Sequence, residues 1–181
     1  DVENSAEKIT KKTALRKVKS FIQNIHNFRD EYLEDKNAPV EKVVVFDEAQ
    51  RAWTQKQISS FMQIKKGVPG FSMSEPECLI DIMDRHKDWT VIICLIGGGQ
   101  EINTGEAGLP EWFSALKKQY SHWHVYLSTK ISGIEYTRGT DIRKLLGNLN
   151  YDSIEDLHLS TSIRSFRSEK VSKLIKSILD C

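Results

Sequence analysis

The run Lys42-Val43-Val44-Val45-Phe46-Asp47-Glu48-Ala49-Gln50-Arg51 constrains this chain more than any other stretch. Its β-branched and aromatic residues are too few for a helix and apolar on both faces, which predicts a buried parallel strand at 42–47. Ligand sites in open α/β sheets lie beyond the carboxyl ends of the strands, so Asp47 and Glu48 stand where chemistry is placed. One carboxylate there can hold Mg²⁺, and the next can orient or deprotonate a water. A solvated acidic helix start is the plainer reading of the same residues, and four residues alone do not choose between the two.

A second apolar run, Thr90-Val91-Ile92-Ile93-Cys94-Leu95-Ile96, predicts another strand. Between the two runs, Thr54-Gln55-Lys56-Gln57 fits a capping box opening a helix through about Lys65. Ser74-Glu75-Pro76-Glu77 is a better one: Ser as N-cap, Pro in the first turn, Glu77 reaching back, then Leu79, Ile80, Ile82 and Met83. A right-handed crossover through that helix lays the second strand parallel to the first. It ends in Gly97-Gly98-Gly99-Gln100. Consecutive glycines admit close backbone approach to a ligand, and Gln100 carries one acceptor and two donors suited to a γ-phosphate. A plain glycine turn is the competing reading.

The remaining chain reads as helices and short strands. Apolar residues at Ile9, Leu15, Val18, Ile22, Ile25, Phe28 and Tyr32 predict one helix over 5–34, whose lysines suit a solvated face better than a phosphate contact. Leu109-Pro110-Glu111 opens a helix with Trp112, Phe113, Leu116 and Tyr120. The alternating stretch 122–128 predicts a third strand. Its His122 and His124 lack the further ligands a metal site needs. Residues 131–150 are the least legible, with a short helix expected at about 141–146. Leu157-His158-Leu159 is expected as a strand, followed by a helix with Val171, Leu174, Ile175 and Ile178 on one face.

Bulk charge excludes nothing and favours no polyanion, because 26 basic residues face 25 acidic ones. Cys78, Cys94 and Cys181 are odd in number and unpaired in spacing, so a reduced, cytoplasmic setting is expected. No stretch approaches the roughly 20 apolar residues of a membrane span. The first residue is Asp1 rather than methionine and the last follows an amphipathic pattern, which predicts a piece of a longer protein.

Val-Phe-Asp-Glu-Ala-Gln-Arg-Ala-Trp at 45–53, Ser-Glu-Pro-Glu at 74–77, Gly-Gly-Gly-Gln-Glu-Ile-Asn-Thr-Gly-Glu-Ala-Gly at 97–108 and Ser-Phe-Arg-Ser at 165–168 carry a resemblance. From about Phe21 onward the chain resembles the domain-of-unknown-function family 2075. Those proteins are phosphate-loop NTPases similar to superfamily 1 helicases and related to the helicase-like part of Schlafen proteins. The resemblance implies a three-layer α/β/α RecA-like core with a mostly parallel sheet, lacking the phosphate-loop strand. It implies a partial NTPase domain over 1–160 and the start of a second motor domain over 161–181.

The resemblance also implies roles. Asp47, in the Walker B position, would bind Mg²⁺ through a water, and Glu48 would activate the hydrolytic water. Gln100 would sense the γ-phosphate of ATP, and Gln50 would relay nucleotide state. Leu159 precedes Arg164 by five residues, as in motif IV, which makes Arg164 the arginine finger, with Arg167 the second candidate. Arg51 and Trp53 are candidates for contact with DNA or RNA, though a packed Trp fits as well.

One departure is plain: none of the ten glycines is followed by lysine, so no Gly-x-x-x-x-Gly-Lys-Ser/Thr loop occurs. Most phosphate affinity in such enzymes comes from that loop. The expectation is Mg²⁺-dependent ATP hydrolysis in a parent protein whose missing N-terminal segment holds the loop. A non-catalytic interaction module that lost the loop is the alternative, and a metal-dependent nuclease built on Asp47 and Glu48 is a third.

Overall fold

The computed structural model describes residue 22 and residues 24–97, 106, 108–137, 139–159 and 177–178. Helix α1, Ile25–Glu34, starts at Asn24, whose side chain accepts from His26 N–H at 2.9 Å. The helix predicted over 5–34 therefore has a start at Asn24, and residues 5–21 and 23 lie outside the described residues. Asn24 is extended, at φ −70° and ψ 137°, and a short polar side chain that bonds a nearby amide favours a cap over a helix interior. At the other end Arg85 donates from Nη1 to the carbonyls of Tyr32 and Asp35, both at 2.9 Å, satisfying groups a helix terminus leaves bare.

Strand β1, Val43–Phe46, leads through a 3₁₀ turn at Ala49–Arg51 to helix α2, Gln55–Lys66, then helix α3, Glu75–Met83, and strand β2, Val91–Cys94. The two strands pair parallel, Val43 with Val91 through Phe46 with Cys94, as the crossover predicts. The pairing continues past the strands: Leu95 N–H donates to Phe46 O and Ala49 N–H to Leu95 O, each at 2.9 Å.

Of the two predicted caps, one forms. Ser74 Oγ accepts from Glu77 N–H at 3.3 Å, but Glu77 does not reach back; its carboxylate pairs with Lys118 at 2.7 Å. Thr54 occupies the cap position of α2 without a side-chain bond.

One face of the β1–β2 sheet, bearing Val44, Phe46, Ile92 and Cys94, packs with Phe28 of α1, Leu79 and Ile82 of α3, and Trp112 and Phe113 of helix α4, Gly108–Gln119. The other face departs from the expectation of burial on both sides. Among the described residues no helix covers it, and Val45 is 60% exposed. Mixed helices and short parallel sheets make this an α/β chain. No helix among the described residues is long and apolar enough to cross a membrane. Burial pushes the Cys78 and Cys94 thiols up to about 12, which keeps them protonated at neutral pH.

Strand β3, His124–Ser128, lies in the region expected, and pairs parallel with strand β4, Asn150–Ile154, in a second two-stranded sheet. Helices α5, Ile134–Thr137, and α6, Ile142–Leu146, connect them. Strand β4 was not expected, and the strand expected at 157–159 is instead the end of a 3₁₀ turn, Glu155–Leu157, and the residues after it. The apolar pattern misleads there because Asn150-Tyr151-Asp152-Ser153 is polar, and ladder pairing with β3 overrides propensity. His122 bonds Asp84 at 2.6 Å and His124 bonds Asp152 at 2.8 Å, so the two histidines serve different carboxylates.

Asp30 ties α1 to α2, taking Arg29 Nη2 at 2.8 Å on one oxygen and Lys66 Nζ at 2.7 Å on the other. Burial pushes this carboxyl up, and the Lys66 and Arg29 bonds outweigh it and hold the group below its usual range. A depressed carboxylate stabilises the fold above its unfolded pKa of about 3.9 and ceases to as pH falls through the folded value. Urea titrations of the protein and of Asp30→Asn should therefore differ most at neutral pH and converge as pH falls through the folded value.

Candidate active site

The chain turns sharply where β1 ends. Glu48 sits at φ 54° and ψ 43°, and it is the only non-glycine residue with positive φ among those described. Such a conformation costs on the order of 1–3 kcal/mol and persists only where surroundings impose it. Three bonds do so here. Asp47 Oδ1 accepts from Glu48 N–H at 3.0 Å, Arg51 N–H donates to Glu48 O at 2.8 Å, and Gln50 Nε2 donates to Glu48 Oε2.

Gln50 is 4% exposed and uses both ends of its amide. While Nε2 holds Glu48, Oε1 accepts from the backbone N–H of Gly97 at 3.2 Å, the first of the three glycines beyond β2. One buried side chain thereby joins the acid pair of β1 to the glycine run of β2. Trp112 closes the turn from below, donating Nε1–H to Ala49 O at 2.8 Å and meeting Phe46 edge-on at 5.5 Å.

Asp47 is exposed, and its Oδ2 accepts no hydrogen bond among the described residues. Arg51 pairs with Glu106 at 3.0 Å, and Trp53 makes an antiparallel bridge to the same residue. The segment beyond the glycines is thus fastened to the segment beyond the acids. Gln100, Arg164 and Arg167 lie outside the described residues. The site brought together here is Asp47, Glu48, Gln50 and Gly97.

The chain matches, over residues 1–181, the family described as Schlafen group 3, DNA/RNA helicase domain. It belongs to that family. Neither a curated protein nor a solved structure matches it. In this helicase-related chain the acid pair and Gly97 follow the ends of two paired parallel strands.

The donor chemistry of this Schlafen-group site suits one kind of metal. No group of three or more His, Cys, Asp and Glu able to hold an ion occurs among the described residues, which argues against a protein cage for zinc. Mg²⁺ needs no such cage, because it keeps several waters and takes one or two carboxylates plus substrate phosphates. Asp47, exposed with one oxygen open, fits that.

A cluster that the sequence did not reveal anchors the site from behind. Glu75, 3% exposed, accepts from Trp53 N–H at 2.9 Å through Oε2, and its own N–H donates to Trp53 O at 3.0 Å. Arg29, 2% exposed, brings Nη1 to 3.8 Å from Glu75 Oε1 and lies over the Phe61 ring at 5.3 Å. The His26, Trp53 and Phe61 rings meet pairwise, with His26 centroids 4.5 Å from Trp53 and 6.2 Å from Phe61, and Trp53 edge-on to Phe61 at 5.4 Å.

His26 Nδ1 is 3.2 Å from both Glu75 Oε1 and Arg29 Nη1, and one ring nitrogen cannot serve both. Bare, it accepts from Arg29 and leaves Glu75 Oε1, already buried, without a hydrogen bond. Bearing a proton, it donates to Glu75. Either way one buried atom is left without this nitrogen: Glu75 Oε1 in the first state, Arg29 Nη1 in the second, because Asp30 takes only Arg29 Nε and Nη2. In sequence, Glu75 reads as an ordinary first-turn acid and Arg29 as a surface cation, so nothing marks the pair. Glu75→Ala removes the acceptor of Trp53 N–H and one of the two carboxylates beside Arg29, and should lose about 1–3 kcal/mol in denaturant unfolding.

Proposed function

We propose that this chain is the Walker B and motif III part of a RecA-like, three-layer ATPase domain over 1–160, with 161–181 entering a second motor domain. Combined with a phosphate-binding loop supplied by another segment, it hydrolyses ATP with Mg²⁺ and couples that to DNA or RNA in the cytoplasm. The observation that carries the reading is the Gln50 bridge between Glu48 and Gly97, set on paired parallel strands. The family's DNA/RNA helicase description supports the nucleic-acid half.

Bound Mg²⁺ supplies charge neutralisation on the phosphates. Asp47, exposed and with one oxygen open, would hold the ion. Glu48, oriented by the amide of Gln50, takes a proton from the attacking water through its other oxygen. Gln100 would sense the γ-phosphate, and Arg164 or Arg167 would stabilise transition-state charge. The buried Gln50 passes a displacement of Gly97 directly to the Glu48 carboxylate.

The second reading, a non-catalytic module, has one observation in its favour: the absence of a Gly-Lys-Ser/Thr loop from these 181 residues. Turnover decides between them. In a protein joining this chain to its phosphate loop, Glu48→Gln should lower kcat on the order of 10²- to 10⁴-fold with KM for ATP little changed. Arg164→Ala should lower it on the order of 10³-fold or more. An unchanged rate in Glu48→Gln contradicts the assigned base, and no turnover in the unsubstituted protein favours the module.

A further inference from the structure

A cavity of about 460 Å³ opens at the carboxyl ends of β3 and β4, lined by other residues than the acid pair. That size lies within the range of small-ligand sites, and the carboxyl ends of parallel strands are where such sites form. Its floor is apolar, from Leu127, Ile142 and Leu146, and Tyr151 stands beside it, 39% exposed. The walls carry the hydroxyls of Thr129, Ser132 and Ser153. None of these three, nor Tyr151, makes a side-chain hydrogen bond among the described residues.

Two charged residues line the opening, Arg143 and Asp141. Lys130 and Lys144, next in sequence to lining residues, are exposed. Asp141, the facing acid, is spent on structure: it caps α6 through Arg143 N–H at 2.9 Å, and that bond with the Arg143 side chain holds it below the usual carboxylate range. The Arg143 guanidinium touches Asp141 only at 3.3 and 3.4 Å, and its side chain is 82% exposed. Most of its fork therefore faces solvent.

An aromatic ring beside an apolar floor accepts a base, unpaired hydroxyls suit sugar and phosphate oxygens, and an open guanidinium suits a phosphate. We propose that this cleft is a subsite for single-stranded nucleic acid, seating one base against Tyr151 and its backbone phosphate on Arg143. The cleft is open to solvent. This inference rests on the nucleic-acid half of the function proposed above and is independent of the ATP chemistry.

The test is fluorescence anisotropy of a labelled single-stranded oligonucleotide with the full chain, without ATP, at several fixed salt concentrations. Tyr151→Ala should weaken binding on the order of ten-fold, and Tyr151→Phe should restore it, because the ring face does the stacking. Arg143→Gln should weaken binding and reduce the salt slope by about one. The proposal is overturned if the Ala and Gln variants, with unchanged circular dichroism, bind as tightly as the unsubstituted chain. It is also overturned if the chain binds no oligonucleotide, or if a blunt duplex or a nucleoside monophosphate binds equally well. No ATP turnover in the unsubstituted protein, with Tyr151-dependent binding intact, would sink the ATPase reading and leave the cleft standing.

Discussion

The parallel ladder between β1 and β2 is what the candidate site depends on. Its register sets Phe46 beside Cys94, and the next bonds, Leu95 to Phe46 and Ala49 to Leu95, carry the pairing into the turn where the acids sit. A slip by one residue would reverse which side chains face the core and lift Phe46 off Trp112. It would also separate Gln50 from Gly97, since a side-chain bond of 3.2 Å leaves no room for a shift of one strand residue. The strain at Glu48 is held by this ladder and by the bonds around the turn, and local propensity contributes nothing to it.

Behind the turn, the structure devotes buried charge to holding a loop still. Glu75 grips both backbone groups of Trp53, and Arg29 and His26 complete its shell. Buried ion pairs add little net stability, and their attested use is to fix one arrangement over others. Here the arrangement fixed is the exit from the acid strand, whose Arg51 and Trp53 engage Glu106 beyond the glycines. The glycine side and the acid side thus meet twice, once through Gln50 and once through Glu106.

Much of this was legible because it depends on local chemistry. Continuous apolar runs ending in acids or glycines announce parallel strands with functional tips, and Ser74 followed by Pro76 announces a helix start. What escaped depends on partners distant in sequence. Strand β4 is polar and exists because β3 pairs with it; Asn24 interrupts a pattern whose apolar period runs straight through it. Gln50 is a polar residue in a polar turn until Gly97 comes within reach, and Glu75 is a capping acid until Arg29 is packed over it. Apolar periodicity reports which face is buried and is blind to which polar atoms meet there.

The central claim, that the acid pair and the glycine tip form one Mg²⁺-nucleotide site, is tested most directly by anomalous scattering. Crystals of this chain with its phosphate-binding loop would be grown with Mn²⁺ in place of Mg²⁺ and a non-hydrolysable ATP analogue. The account predicts a manganese peak bound to Asp47 directly or through one water, with the Gln100 side chain facing the terminal phosphate. A peak distant from Asp47, or a nucleotide seated with its terminal phosphate away from the β1 and β2 tips, would contradict it.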